Sequence, residues 1–127
     1  MNKIKDFKDL RIGQLGMEIV KSIYIVSGSF PQAEQFGLSI QMRRTSISVP
    51  SNIAEGFIKS SQRELNRFLD IALGSCAELE TQVLIAKELN YLDDARFQEI
   101  SAKITAEIKQ ILTLKNRIKV SNQITDH

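Results

Sequence analysis

The sequence predicts an all-α chain: an antiparallel up-down four-helix bundle whose second helix is kinked near Pro50. Three observations carry this. Four long segments repeat apolar residues at three, four or seven positions, the period of a helix rather than a strand. Only two prolines and six glycines punctuate 127 residues, so the elements are expected to be long. Asn-Gly and Asp-Gly, the pairs that open tight β-hairpins, are absent. Long helices with short connections pack as antiparallel neighbours. The length suits one domain, residues 1–127, with a core over about 7–120 and fraying expected at both ends.

The first helix is expected from about Asp9 to Ser27, with Gly28 as its stop. Ile12, Leu15, Ile19, Ile23 and Val26 form one stripe, and Leu10, Met17, Val20 and Tyr24 a second. The second stripe is covered either by the following segment or by another copy of the chain. Residues 29–38 read as a corner. There Pro31 opens a short helical turn, and Phe30 and Phe36 pin it to the core. The second long helix spans about Ser39 to Phe57. Pro50 lacks a backbone donor and should kink it or break it in two. Ser61 and Glu64 make a capping-box pattern that opens the third helix, which runs to about Leu89. Its stripe is Leu65, Phe68, Leu69, Ala72, Cys76, Leu79, Val83, Ala86 and Leu89. After a turn over 90–94, Asp93 or Asp94 caps the fourth helix, which runs to about Val120. Phe97, Ile100, Ile104, Ile108, Ile111 and Ile118 form its stripe.

Composition narrows the chemistry. Hydrophobic residues at 43% and charged residues at 25% are globular proportions, which excludes a disordered chain. One cysteine, Cys76, and one histidine, His127, exclude an internal disulfide and leave no Cys/His metal site or Ser/His pair to expect. Cys76 reads as a small core residue and His127 as a frayed terminal one. No window approaches the roughly 18 apolar residues of a membrane span. Residues 1–6 have no long apolar stretch after their lysines, so a cytoplasmic location is expected. No cofactor or metal is expected.

One polar row stands out. Arg44, Ser48, Asn52 and Glu55 recur at intervals of four, four and three along the second helix. Such a row is an internal network that fixes helix register, an active-site wall, or a solvated face. The first reading leads, because a lone Glu55 has no acid, base or metal partner in sight. In that network Glu78 or Glu80 is expected to pair with Arg43 or Arg44 across the bundle. The small run Gly74-Ser75-Cys76-Ala77 would allow close helix approach there. Gly74 lowers helix propensity by about 1 kcal/mol, so a neighbour should use the missing side chain.

The net charge of +2 is unevenly spread. Residues 1–67 carry ten basic and six acidic side chains, residues 68–95 one and six, and residues 96–127 six and three. Lys59, Arg63 and Arg67 recur at spacings of four, and Lys115, Arg117 and Lys119 close the fourth helix. Either they confer solubility and complement a helix dipole, or they form a phosphate-contacting surface.

The stretch Ser48-Val49-Pro50-Ser51-Asn52-Ile53-Ala54-Glu55-Gly56 resembles the signature of the four helix bundle proteins, first named for intervening sequences in 23S rRNA genes and also described as ribosomal proteins. The corner (Phe30, Pro31, Glu34, Phe36, Gly37, Leu38), Gln41-Met42-Arg43-Arg44, residues 68–75 and Glu78-Leu79-Glu80-Thr81-Gln82 are similar to further family blocks, in order, over about 7–118. This chain departs at Gly13 and Gly16, near which the family often has Trp, and at Val49, where Ile is usual. The resemblance implies a ring-forming bundle, expected to be a homopentamer. It also implies kinship with the accessory variability protein of diversity-generating retroelements, which assists a reverse transcriptase and binds nucleic acid. It brings no catalytic residues. The expected function is a non-enzymatic oligomer that binds RNA or DNA through Lys59, Arg63, Arg67, Lys115, Arg117 and Lys119, or helps a nucleic-acid enzyme do so. The alternative is a protein scaffold without nucleic-acid affinity. An enzyme would need Glu55 and Arg44 to converge in an open, wet cavity.

Overall fold

Four helices surround one apolar core in the computed structural model, which describes the backbone of residues 10–125 and the side chains of residues 10–119. They are α1 (Arg11–Gly28), α2 (Leu38–Ile58), α3 (Gln62–Glu88) and α4 (Asp94–Thr125), with a single 3-10 turn, Gln32–Glu34, between α1 and α2. No strand occurs among the described residues. The expectations for Asp9 and His127 fall outside them.

Each helix packs on two neighbours, α1 on α2, α2 on α3, α3 on α4 and α4 on α1. The pairings run in opposite senses. Gly16 lies against Pro50, and Ser27 takes hydrogen bonds from Ser39 and Arg43. Gly56 lies against Leu65 and Phe68, Ser48 meets Ser75, and Thr45 meets Gln82. Lys115 reaches back to Asn66 and Asp70, while Lys87 reaches Asp94. The core between them holds Ile19, Ile23, Met42, Val49, Ile53, Leu69, Leu79, Val83, Ile104 and Ile111, all fully buried.

Local chemistry sets the ends. Ser61 caps α3, its hydroxyl accepting from the Glu64 amide at 3.1 Å; the Glu64 carboxylate turns to Arg67 instead of completing the box. At the other end Asn90 takes a left-handed φ of 64°, and Tyr91 N–H reaches Ala86 O at 2.8 Å. That is a Schellman stop, which asparagine tolerates. Asp93 caps α4 by accepting from the Arg96 amide at 2.8 Å.

α2 is a single helix through Pro50, not two. Side chains serve its carbonyls around the proline. Ser46 donates to Arg43 O, Ser48 to Thr45 O, and Asn52 Nδ2 to Ser48 O at 2.7 Å.

Several expectations are corrected. Phe30 is buried and meets the Tyr91 ring at 5.4 Å, but Phe36 is 88% exposed. The corner is closed instead by Gln35, whose amide donates to Ser27 O and Phe30 O, leaving Phe36 to point outward. Pro31 precedes the short turn rather than opening it. Leu89 falls at the helix stop and is exposed, off the α3 stripe. Nothing lies within 4 Å of a side chain added at Gly74, so no neighbour in the bundle uses the space. The close approach is at Gly56, where an added Cβ would meet Phe68 Cβ at 3.1 Å.

Candidate functional site

The up-down topology brings four helix ends together: the start of α1, the end of α2, the start of α3 and the far part of α4. All six basic residues singled out in the sequence stand at this end. Lys59 is the last residue of the α2 stop, not part of the next helix. Its Nζ lies 5.3 Å from the Phe68 ring centroid, and the Arg67 guanidinium lies 4.6 Å from the same ring. Arg63 is exposed in the first turn of α3. Lys115 of α4 is anchored beside α3, at 2.6 Å from Asp70 Oδ1 and 2.7 Å from Asn66 Oδ1. Arg117 and Lys119 follow on α4 and are exposed.

The six are not equivalent. Lys115 is committed to an ion pair and only 19% exposed, so it holds α4 to α3. Arg67 is engaged by Glu64 at 3.2 Å, and this hydrogen bond holds the Glu64 carboxyl below its usual range. Lys59, Arg63, Arg117 and Lys119 make no ion pair with a described residue. Arg11, to which the sequence pattern gives no prominence, lines a shallow groove with Arg117, Gln110 and Thr113 at the same end. Its placement follows from topology alone: the first turn of α1 lies beside the far part of α4.

Charge is polarised along the bundle axis. The half containing residues 10–19, 49–75 and 108–119 has eight basic and four acidic side chains. The half containing residues 20–48 and 76–107 has six basic side chains and seven acidic ones besides Glu107, which is buried at mid-height.

The polar row divides. Ser48 and Asn52 are half-buried, and Ser48 shares a 2.7 Å hydrogen bond with Ser75. Arg44 and Glu55 are exposed. Steps of four residues advance about 40° beyond a full turn, so Arg44 stands about 80° round the helix from Asn52; the step of three to Glu55 falls about 60° short. About three turns of helix separate Arg44 from Glu55, so they do not converge. The expected pairing of Arg43 or Arg44 with Glu78 or Glu80 does not form. Arg43 faces α1, donating to Ser27 Oγ at 2.9 Å and lying 4.9 Å from the Tyr24 ring centroid. Glu78 instead accepts from Thr45 and Gln82, each at 3.4 Å. Gln82, buried and donating to Thr45 Oγ1 at 3.0 Å, is a further α2–α3 link that the sequence did not reveal. Cys76 is buried, its thiol pushed up to about 12 chiefly by that burial. No group of three metal-ligating side chains occurs among the described residues.

Fold and surface together define an all-α four-helix bundle with electrically distinct ends. The chain matches the model of the 23S rRNA-intervening sequence protein over residues 8–113 and belongs to that family. It is similar to a crystal structure of a protein of unknown function from the S23 ribosomal protein family of Bacteroides thetaiotaomicron. The TM-score is 0.79 at 21% identity, over 86% of this chain and 98% of that one, a likeness of fold. No curated protein matches the chain. No helix among the described residues is long and apolar enough to cross a membrane.

Proposed function

We propose that this protein is a non-enzymatic, oligomeric bundle that binds RNA or DNA, or assists a nucleic-acid enzyme, through its basic end. The observation that supports this most is the gathering of Lys59, Arg63, Arg117 and Lys119, free of ion pairs to described residues, on one end of a bundle whose other end is acidic. Clustered exposed cations neutralise phosphates and release condensed counterions. The test is affinity for a duplex and for a single strand across a salt series. Binding should weaken steeply with salt. The variant Lys59→Gln/Arg63→Gln/Arg117→Gln/Lys119→Gln should flatten the log–log slope by about 0.9 for each duplex phosphate that it no longer neutralises. Absence of binding at low salt, with a single protein captured in a nuclease-insensitive way, would favour the scaffold reading.

Self-association, up to the homopentamer that the resemblance implies, is assigned to two different faces, as a closed ring requires. One carries Met17, Tyr24 and Ile47 of α1 and α2, each more than 40% exposed. The corner does not cover this second stripe of α1. The other is the outer stripe Ile71, Gly74, Glu78, Thr81 and Ile85 of α3, where Gly74 leaves open space. Light scattering should read a smaller particle for Met17→Lys/Ile47→Lys than for the parent chain; an unchanged mass would remove this face from the interface.

A further inference from the structure

At mid-height of the bundle, Glu107 of α4 is completely buried. It sits within the helix stripe Ile100, Ile104, Ile111, where a core residue belongs. Neither carboxyl oxygen has a hydrogen-bond partner among the described residues. The carboxyl rests in a notch on α1, where a Cβ at Gly16 would come 3.0 Å from Glu107 Oε2 and 3.4 Å from Pro50 Cβ of α2.

No charge faces it to offset its own. α1 contributes Gly16 between the buried Ile12 and Ile19, and α2 contributes Pro50 between Val49 and Ile53. From α3 the titratable group that senses Glu107 is the thiol of Cys76, itself also influenced by Glu80. On α4, Lys103, one turn before Glu107, is spent on Ser22 Oγ at 3.0 Å and Glu99 at 3.9 Å, and Lys109, two residues on and about 200° round the helix, is exposed. An unpaired carboxylate in such a site is far costlier than a neutral acid.

We propose that Glu107 is a proton-held latch: as a neutral acid it closes the centre of the bundle, and its ionisation loosens α4 from α1 and α2 and uncovers Cys76. Burial pushes the Glu107 carboxyl up from 4.5 to about 8. Below about 4.5 the closed and opened forms both keep the proton, and opening does not depend on this group. Between 4.5 and 8 the opened form releases a proton that the closed form retains. Each pH unit in that window therefore favours opening by up to about tenfold. Above 8 both forms are ionised and the effect reaches its plateau.

The single cysteine supplies the readout. Cys76 is alkylated with iodoacetamide from about pH 5.5 to about 9 in the full chain and in Glu107→Gln, an uncharged isostere, with Glu107→Leu as a second variant. The thiol chemistry of the opened form is common to all, so it cancels in the ratio of rates. The ratio of parent to variant should climb by up to about tenfold per pH unit and level off near 8. A ratio that stays flat overturns the latch. Independently, carbon-13 titration of the glutamate carboxyls should show one resonance with a midpoint near 8 that Glu107→Gln removes; all carboxyls titrating in the ordinary acid range would overturn it equally.

Discussion

Two glycines in this bundle behave in opposite ways, because an added methyl meets different neighbours. At Gly56 it would press on Phe68 Cβ at 3.1 Å and on Leu65 Cδ1 at 3.0 Å. Phe68 Cβ is attached directly to the α3 backbone and yields only if the helix moves. Gly56→Ala should cost about 1–3 kcal/mol, read as a lower urea midpoint at unchanged m value. At Gly74 the methyl meets nothing within 4 Å. Gly74→Ala should stabilise the isolated subunit by about 0.5–1 kcal/mol, from helix propensity alone. Measured on the assembled protein, the same substitution tests the outer face of α3: a weaker assembly with a more stable subunit would place Gly74 in a subunit contact. Ser61→Ala removes the one side-chain acceptor for the Glu64 amide and should cost about 1 kcal/mol by thermal melting.

At the scale of the elements, α4 is tied to α3 by Lys115. Its pair with Asp70 at 2.6 Å is short but open to water on the Asp70 side, so Lys115→Met should cost only about 1 kcal/mol. Its effect on nucleic-acid affinity should be small beside that of Arg117 or Lys119, and comparing the single variants in one binding assay checks this. The helices themselves are legible in the sequence, because stripes such as Leu69, Ala72, Cys76, Leu79 and Val83 hold their period over many turns and are buried. Ends with a chemical cap, Ser61 and Asp93, are legible for the same local reason. What is not legible lies where helices meet. Periodicity says which face is inward and not which side chain stands opposite, so charge alone pairs Arg43 with an acid on α3, although it turns to Ser27 on α1. Glu107 escapes a reading by stripes because Ile108 beside it also fits a helical spacing. A charged residue three and four positions from buried isoleucines is the signal that the sequence does hold. Phe36 misleads in the other direction, since hydrophobicity alone does not hold a side chain inside a corner closed by Gln35.

For the molecule as a whole, the separation of charge along the axis matters more than the net +2. Salt should act on binding and stability in different measure: binding should fall steeply between low and physiological ionic strength, while the thermal midpoint of the free protein moves little. The reason is that the cohesion of the bundle is apolar and each ion pair among the described residues is open to water on at least one side. Comparing the two salt responses on one preparation checks it.

A rod with opposite signs at its tips is an electric dipole, and a polyanion exerts a torque on it before any contact is made. The encounter is then end-on. Two helix diameters of about 10 Å each set a footprint of about 20 Å, or about six base pairs of duplex per subunit.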